Sequence, residues 1–345
     1  MIVYLFPGEA ILPFDGKKIA LGGNTKKRFF DIKAWRRLGQ IIREEKPDIV
    51  QANAGDTLKY AVFSRLLCGW RQPVVFRNAS TISLYIKSTI ARKWNSIFFG
   101  FVTSIISVSE ASKKDFSNTF PEYKNRLTTI PIGIEHKEGA QGLEKNAGKN
   151  AGKTASPVLV HVGGFSFEKN HKGLLNIFEE VLQHIPSATL HLVGDGPLRK
   201  QTEEMVRLKG LEINVKFHGF QSNALQYIYD ADVLLLPSII EGMPGVVLEA
   251  FYCNTPVVAY NVGGIGEVVI NDRTGRLIEL GDEPAFAVGV INALHDNEIN
   301  RRLIHHAHEL VMLKYLNTHI AGRFLEVYQS VLSRKQSGMV QLKNA

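Results

Sequence analysis

The chain's 345 residues, 45% hydrophobic and 21% charged, exceed what one hydrophobic core usually holds, which excludes disorder and fibrous folds and predicts two domains. Its longest apolar stretch, Ile97 to Val108, is broken by Gly100, Thr103, Ser104 and Ser107 and falls short of the ~18 residues that span a bilayer, so no transmembrane helix is expected. The net charge of +8 hides an asymmetry: residues 1–136 carry 21 Lys and Arg against 11 Asp and Glu, while residues 157–345 carry 16 against 20.

From the N-terminus, Met1 to Pro7 offers neither a basic leader nor a small-residue cleavage site, and the only cysteines are Cys68 and Cys253. This reads as a reducing, cytoplasmic compartment. The basic half suits polyanions or the anionic inner face of a membrane, where it would sit peripherally, and nucleic acid is not expected because no binding motif accompanies the charge. The first strand is read at Ile49–Gln51, with only 48 residues before it. A complete first βαβ unit needs ~30 or more residues before its second strand and further helix after that. The chain therefore reads as short by one strand and one helix, with a truncated N-terminus as the expectation. Gly22-Gly23 is followed directly by the run Arg36–Glu45 and Pro47, which leaves no room for an intervening strand.

Further strands are predicted at Val74–Arg77, Ile105–Val108 and Leu127–Ile130. Between them, basic and aromatic side chains interleave from Tyr85 through Lys87, Arg92, Lys93 and Trp94 to Phe99, a pattern that fits a helix on an anionic membrane and equally a helix packed on a sheet. Residues 137–156, rich in Gly, Ala, Lys and Asn, form a flexible segment near a domain boundary. Beyond it, strands are predicted at Val158–Val162, Thr189–Val193, Lys216–His218, Val233–Leu236 and Pro256–Ala259. Short β-branched runs alternating with longer amphipathic ones are the mark of parallel βαβ units. The fold class is α/β: two doubly wound, Rossmann-like domains, residues 1–136 and 157–317, expected to face each other across a cleft where ligands meet the carboxyl ends of strands. A last helical run, about Thr318 to Leu332 within residues 318–345, has no strand after it and is expected to pack back across the boundary.

Chemistry concentrates in residues 233–250. A buried strand runs to Pro237, and a loop with Gly242, Met243, Pro244 and Gly245 opens a helix whose free N–H groups suit a phosphate. Glu241 sits in that loop and Glu249 about one turn into the helix, so both carboxylates reach one ligand lying across the helix start and accept from its hydroxyls. Three other patterns are set aside. Asp230-Ala-Asp232 spells a metal-binding D-x-D but begins a strand instead of closing one; His305, His306 and His308 lie on a polar helix without a further ligand; Gly263-Gly264-Ile-Gly266 lacks the acidic partner of a dinucleotide site.

At this point the chain resembles the retaining, GT-B-fold glycosyltransferases of family 4, whose hallmark E-x7-E stands here as Glu241 to Glu249. Other motifs follow in the family's order: Val162-Gly-Gly with Glu168-Lys169, Leu192-Val-Gly-Asp-Gly-Pro197, Phe217-His-Gly-Phe220, Thr255-Pro-Val-Val258, and Gly263-Gly264 with Glu267. The resemblance implies an acceptor-binding first domain and a donor-binding second domain. It implies metal-independent, retaining transfer from a nucleotide-diphosphate sugar to a glycan, lipid-linked or other acceptor, as in cell-surface polysaccharide biosynthesis, with no cofactor. Lys169 matches the lysine of the pair that steadies the diphosphate; its arginine partner is Gly164 here, which shifts that role to Lys172 and backbone amides. By the same resemblance Glu249 takes the ribose hydroxyls, Glu241 touches the sugar, and Gly194, His218 and Gly219 join the donor site. Where the family often has a histidine near the reacting sugar this chain has Arg77, with Gln51 and Asn53 at two further positions of that kind. Arginine stays protonated and cannot be a general base, so Arg77 is expected to act by charge on an acidic or phosphorylated acceptor. Two alternatives use the same residues: a sugar-nucleotide epimerase of this fold, for which the sequence offers no acid/base pair, and a catalytically silent sugar-nucleotide-binding protein.

Overall fold

The computed structural model describes residues 1–6, 14–24, 30–136, 156–295 and 298–343, with side chains up to Arg334. The stretch read as flexible, 137–156, lies outside the described residues except for Ser156. Two compact units are formed, one from Met1–Val108, Ser112–Thr129 and Arg323–Ala345, the other from Ser109–Ala111 and Ile130–Gly322.

The first unit opens with β1 (Ile2–Tyr4) and β2 (Lys18–Ala20), a parallel pair joined, among the described residues, to no other strand. There follow α1 (Ile32–Glu45), β3 (Val50–Ala52), α2 (Gly55–Cys68), β4 (Val74–Asn78), α3 (Thr89–Gly100), β5 (Val102–Ser107), α4 (Glu110–Thr119) and β6 (Leu127–Thr129). Strands β3 to β6 make a four-stranded parallel sheet in chain order. Parallel strands covered on both faces must be apolar throughout, and Val74, Val75 and Phe76 of β4 are all buried. Asp31 starts α1 because its carboxylate accepts from the Ala34 N–H at 3.2 Å; its other oxygen takes the Asn24 N–H (2.9 Å) and the Tyr60 hydroxyl (3.0 Å), so one acid ties three segments together. Phe99, at the end of α3, packs its ring against Phe76, Phe116 and Phe120 with centroids 4.9–5.3 Å apart, a spacing at which aromatic pairs attract.

The second unit carries β7 (Val158–Val162), α5 (His171–His184), β8 (Thr189–Val193), α6 (Arg199–Leu208), β9 (Val215–Gly219), α7 (Ala224–Asp230), β10 (Val233–Leu236), α8 (Gly245–Tyr252), β11 (Val257–Tyr260), β12 (Arg276–Ile278), α9 (Glu283–Ala293) and α10 (Glu298–Lys314). A final helix, α11 (Asn317–Lys343), belongs to the first unit from Arg323 onward. The six strands of the second unit run parallel in the order β12-β11-β10-β7-β8-β9. Chain direction across the sheet therefore reverses between β7 and β10, the switch point at which loops diverge and leave a crevice.

The α/β class and the parallel, doubly wound sheet are as the sequence predicted. Strands β1, β2 and β12 were not predicted, whereas the equally short β3 and β6 were, at Ile49–Gln51 and Leu127–Ile130. Helix α11 also outruns the predicted Thr318–Leu332, because Ser333-Arg-Lys-Gln-Ser337 breaks the apolar spacing without breaking the helix.

Candidate functional site

The second unit's predicted residues gather at the carboxyl ends of its strands, around the β7/β10 switch point. After β7 the chain passes through Gly163 and Gly164 into a single 3-10 turn, Phe167–Lys169. Asn170 ends that turn in the left-handed region (φ 53°), where asparagine is among the few tolerated residues, and its side chain caps α5 by accepting from the Gly173 N–H at 3.2 Å. The same amide donates to the Pro237 carbonyl (3.1 Å) while the Glu168 carbonyl accepts from the Ile239 N–H (2.8 Å). These two bonds stitch the loop after β7 to the loop after β10. Their product is an ion pair: Lys169 Nζ lies 2.5 Å from Glu241 Oε1, with the two side chains only 22% and 10% exposed.

Two glycines let backbones close around this pair. A Cβ on Gly194 would sit 2.0 Å from the Gly163 carbonyl oxygen, and one on Gly263 (φ +54°) would sit 1.8 Å from the Glu241 carbonyl oxygen. No other residue fits either position. Gly194 N–H donates to the Gly219 carbonyl (2.8 Å), and Gly264 N–H to the Gly242 carbonyl (2.8 Å), which joins the loops in sequence around the sheet end. Met243 is buried, and Pro244 leads into α8, whose first N–H groups lack intrahelical partners by construction. Glu249 lies half-buried one turn into that helix. Gly164 and Lys172 are exposed, the latter in the first turn of α5. His218 packs between His191 (4.8 Å) and Tyr227 (4.6 Å), and burial followed by the charge of Lys216 lowers its pKa.

Beneath Lys169 lie two buried histidines that the sequence reading missed. His161 on β7 has its Nδ1 2.9 Å from the Leu235 carbonyl of β10; His171 at the start of α5 stacks on Phe165 at 4.1 Å and meets His161 edge-on at 5.0 Å. Burial first, then the charges of His171 and Lys169, holds His161 down to about 3, and burial followed by the charge of Lys169 holds His171 to about 4. Both stay neutral, so neither supplies the acid of an acid/base pair near pH 7. The missed signal was their position: one in a strand, one at a helix start, flanking the glycine turn.

Arg77 belongs to the first unit, as the penultimate residue of β4. Its guanidinium lies 5.9 Å from the Phe324 ring, and burial lowers its pKa, partly offset by Tyr328. Tyr328 in turn donates to Gln51 Oε1 (2.6 Å), and Gln51 Nε2 donates to Asn53 Oδ1 (2.8 Å). Neither aromatic residue was foreseen, since nothing in the spacing of a C-terminal helix names the strand it covers.

The patterns set aside earlier have structural roles. Asp232 caps the sheet by accepting from the Val158 N–H (2.8 Å), and Asp230 accepts from Gln226 (3.0 Å). His305 pairs with Glu309 (3.4 Å), and His308 faces the Phe251 and Tyr252 carbonyls. Among the described residues no three His, Cys, Asp or Glu side chains are grouped to hold a metal ion.

Comparison with known proteins matches residues 144–310 to the family described as Glycosyl transferases group 1 and residues 9–138 to Glycosyltransferase Family 4. The N-acetyl-alpha-D-glucosaminyl L-malate synthase of Bacillus anthracis is 31% identical over 183 residues, 53% of this chain and 48% of that protein. The lipopolysaccharide core biosynthesis glycosyltransferase LpsE of Rhizobium meliloti is 26% identical over 175 residues, 51% of this chain and 50% of LpsE. The matched stretches span about half the length of these relatives. Among solved structures, Anabaena HepE in complex with UDP-glucose aligns with a TM-score of 0.73 at 20% identity, over 93% of this chain and 86% of HepE. Sucrose-phosphate synthase from Thermosynechococcus elongatus aligns with a TM-score of 0.75 at 20% identity, over 90% and 80%. At such identity the likeness is one of fold.

Proposed function

Since the chain belongs to the group 1, family 4 glycosyltransferases, we propose that it moves a sugar from a nucleoside-diphosphate sugar held by the second unit to a glycan, lipid-linked or other acceptor, without a divalent metal ion and with retention of anomeric configuration. The observation that carries this reading is the Lys169–Glu241 pair set at the switch point ahead of the amide start of α8. A fixed ammonium and a row of backbone N–H groups are what a departing diphosphate needs, and both are in place before the bond breaks. Glu249 and Glu241 then accept from hydroxyls, Glu249 from ribose and Glu241 from the transferred sugar; Gly164, Lys172, Gly194, His218 and Gly219 complete the donor surface. The acceptor hydroxyl attacks from the face the diphosphate leaves, and the leaving phosphate oxygen takes its proton. The relatives named for sugar transfer to malate and for lipopolysaccharide core synthesis support sugar transfer and leave a range of acceptors.

The donor assignment predicts a split between the two glutamates. Glu249→Ala is expected to weaken binding of UDP and of UDP-sugar alike, by about 10- to 100-fold, since a hydrogen bond to a charged acceptor contributes ~1.5–3 kcal/mol. Glu241→Ala is expected to leave UDP affinity within a few-fold while lowering transfer. Calorimetric titration with both ligands checks it; equal losses for UDP and UDP-sugar in Glu241→Ala would contradict the division.

Peripheral attachment to an anionic membrane is supported by α3. One face of that helix buries Phe98 and Phe99, while the other exposes Ile90, Trp94 and Ile97 at helical spacing beside the exposed Arg92 and Lys93. No described helix is long and apolar enough to cross a membrane. Binding to vesicles is expected to require anionic lipid and to fall with salt, with about 1 kcal/mol from each basic residue near the surface. Sedimentation with neutral and anionic vesicles decides it, and equal binding to both would count against attachment.

A further inference from the structure

We propose that the first unit binds an oxyanion, a carboxylate or phosphate carried by the acceptor, on the guanidinium of Arg77, in a site completed by Phe324 and Tyr328 of α11. The word acceptor rests on the transfer reading above; the anion site rests on the geometry of the first unit alone.

Arg77 lies at the carboxyl end of β4, and Gln51 and Asn53 lie at the corresponding end of the neighbouring β3, the edge where parallel α/β sheets bind ligands. The side chain is half-buried, and its enclosed Nε has no hydrogen-bond partner among the described residues. A buried cationic donor without an acceptor is costly, and two other half-buried arginines of the described residues are supplied with acceptors. Arg126 of the same unit donates to the carbonyls of Phe99, Gly100 and Val102, and Arg276 of the other unit to Asn292 and Asn300. Arg126 and Arg276 thus receive acceptors, whereas among the described residues Arg77 Nε does not.

Its surroundings are prepared nonetheless. The Tyr328 hydroxyl is spent on Gln51 and the Gln51 amide on Asn53, so these polar groups are locked beside the guanidinium without neutralising it. Phe324 forms an apolar wall 5.9 Å away, which lowers the local dielectric and strengthens any pairing made there. A planar fork of N–H donors is matched by a two-oxygen anion, and carboxylate and phosphate both present one.

The test uses the full chain with UDP at saturation, so that the donor site cannot report. Two pairs of probes differ by the anionic group: glucuronate against glucose, and glycerol 1-phosphate against glycerol. By calorimetry or NMR titration the charged member is expected to bind at least tenfold more tightly than the neutral one, and Arg77→Gln to abolish that difference, with Arg77→Lys retaining part of it. Tyr328→Phe, which keeps the ring and frees Gln51, is expected to weaken anion binding a few-fold. The pair with the larger difference tells whether the acceptor's anion is a carboxylate or a phosphate. Equal binding of charged and neutral members, or unchanged anion affinity in Arg77→Gln, would overturn the site. Should that variant not fold, the shift of one arginine Nε–H resonance in the parent protein with the anionic and not the neutral probe replaces it, and no shift overturns the site likewise. Nucleoside-diphosphate affinity separates the two readings: its absence for UDP, GDP and ADP alike in the parent protein defeats the donor assignment alone, while its loss only in Arg77→Gln would place Arg77 with the donor and defeat this one.

Discussion

Lys169→Ala is expected to lower kcat by about 10²- to 10³-fold, the range found when one preorganised charge or donor is removed from a developing anion, equivalent to ~3–4 kcal/mol of barrier. Donor affinity should fall far less, because the phosphate's charge grows as the glycosidic bond breaks and only the differential part of the interaction reaches the chemical step. The pairing of Lys169 with Glu241 complicates the single variant, since Glu241 is left as a nearly enclosed carboxylate beside the incoming diphosphate. Lys169→Ala/Glu241→Gln removes that repulsion, and it is expected to recover donor affinity without recovering rate. Product stereochemistry by NMR and rates in chelator belong to the same experiment. Retention and undiminished turnover in chelator are expected. An inverted product, or activity lost in chelator and restored by Mg²⁺ or Mn²⁺, would sink the mechanism.

Acidification is expected to destabilise the second unit steeply, through His161 and His171. Their folded values, about 3 and about 4, lie below the ~6.5 of an exposed imidazole, so the unfolded chain binds protons that the folded one refuses. The stability they contribute is complete above pH ~6.5 and is lost as pH falls from there toward the folded values, with a slope approaching ~1.4 kcal/mol per pH unit for each histidine. Neither nitrogen of His171 has a hydrogen-bond partner among the described residues, and its ring lies 14° from parallel with Phe165. His171→Phe therefore sacrifices no bond. Urea unfolding between pH 4.5 and 8 is expected to show the slope reduced by one histidine's share in that variant, with stability at pH 8 equal or higher. Identical slopes in variant and parent would show that these rings do not control acid stability.

Legibility from sequence followed the length over which a signal repeats. Strands of four or five apolar residues such as Val158–Val162 and Val233–Leu236 could be read, and with them the parallel sheet. Of the three-residue strands, β3 and β6 could be placed within the alternation of strands and helices, while β1, β2 and β12 could not, because three residues carry too little period of their own. Glu241 and Lys169 could be named as candidates from a motif, yet their direct pairing could not, since it depends on Asn170 and Glu168 bonding to Pro237 and Ile239 across the sheet end. His161 and His171 were invisible for the opposite reason: a lone histidine in a strand or at a helix start has no period, and its burial and neighbours, which set its protonation, appear only in the fold. Gly164 in place of an arginine, by contrast, was plain in the sequence, and the structure leaves that position open to solvent.

The stitch between the loops after β7 and β10 also fixes when the ion pair can come into being. Lys169 and Glu241 are 72 residues apart in the chain, in the loops that follow β7 and β10, strands adjacent in the sheet but separated in the chain by β8 and β9. Such high contact order is slow to satisfy, because the entropy of closing the intervening chain is lost before any contact repays it. A nascent chain that has emerged through α7 already carries Lys169, but its partner carboxylate has yet to be made, so the electrostatic heart of the unit is a property of the finished sheet and of no shorter segment.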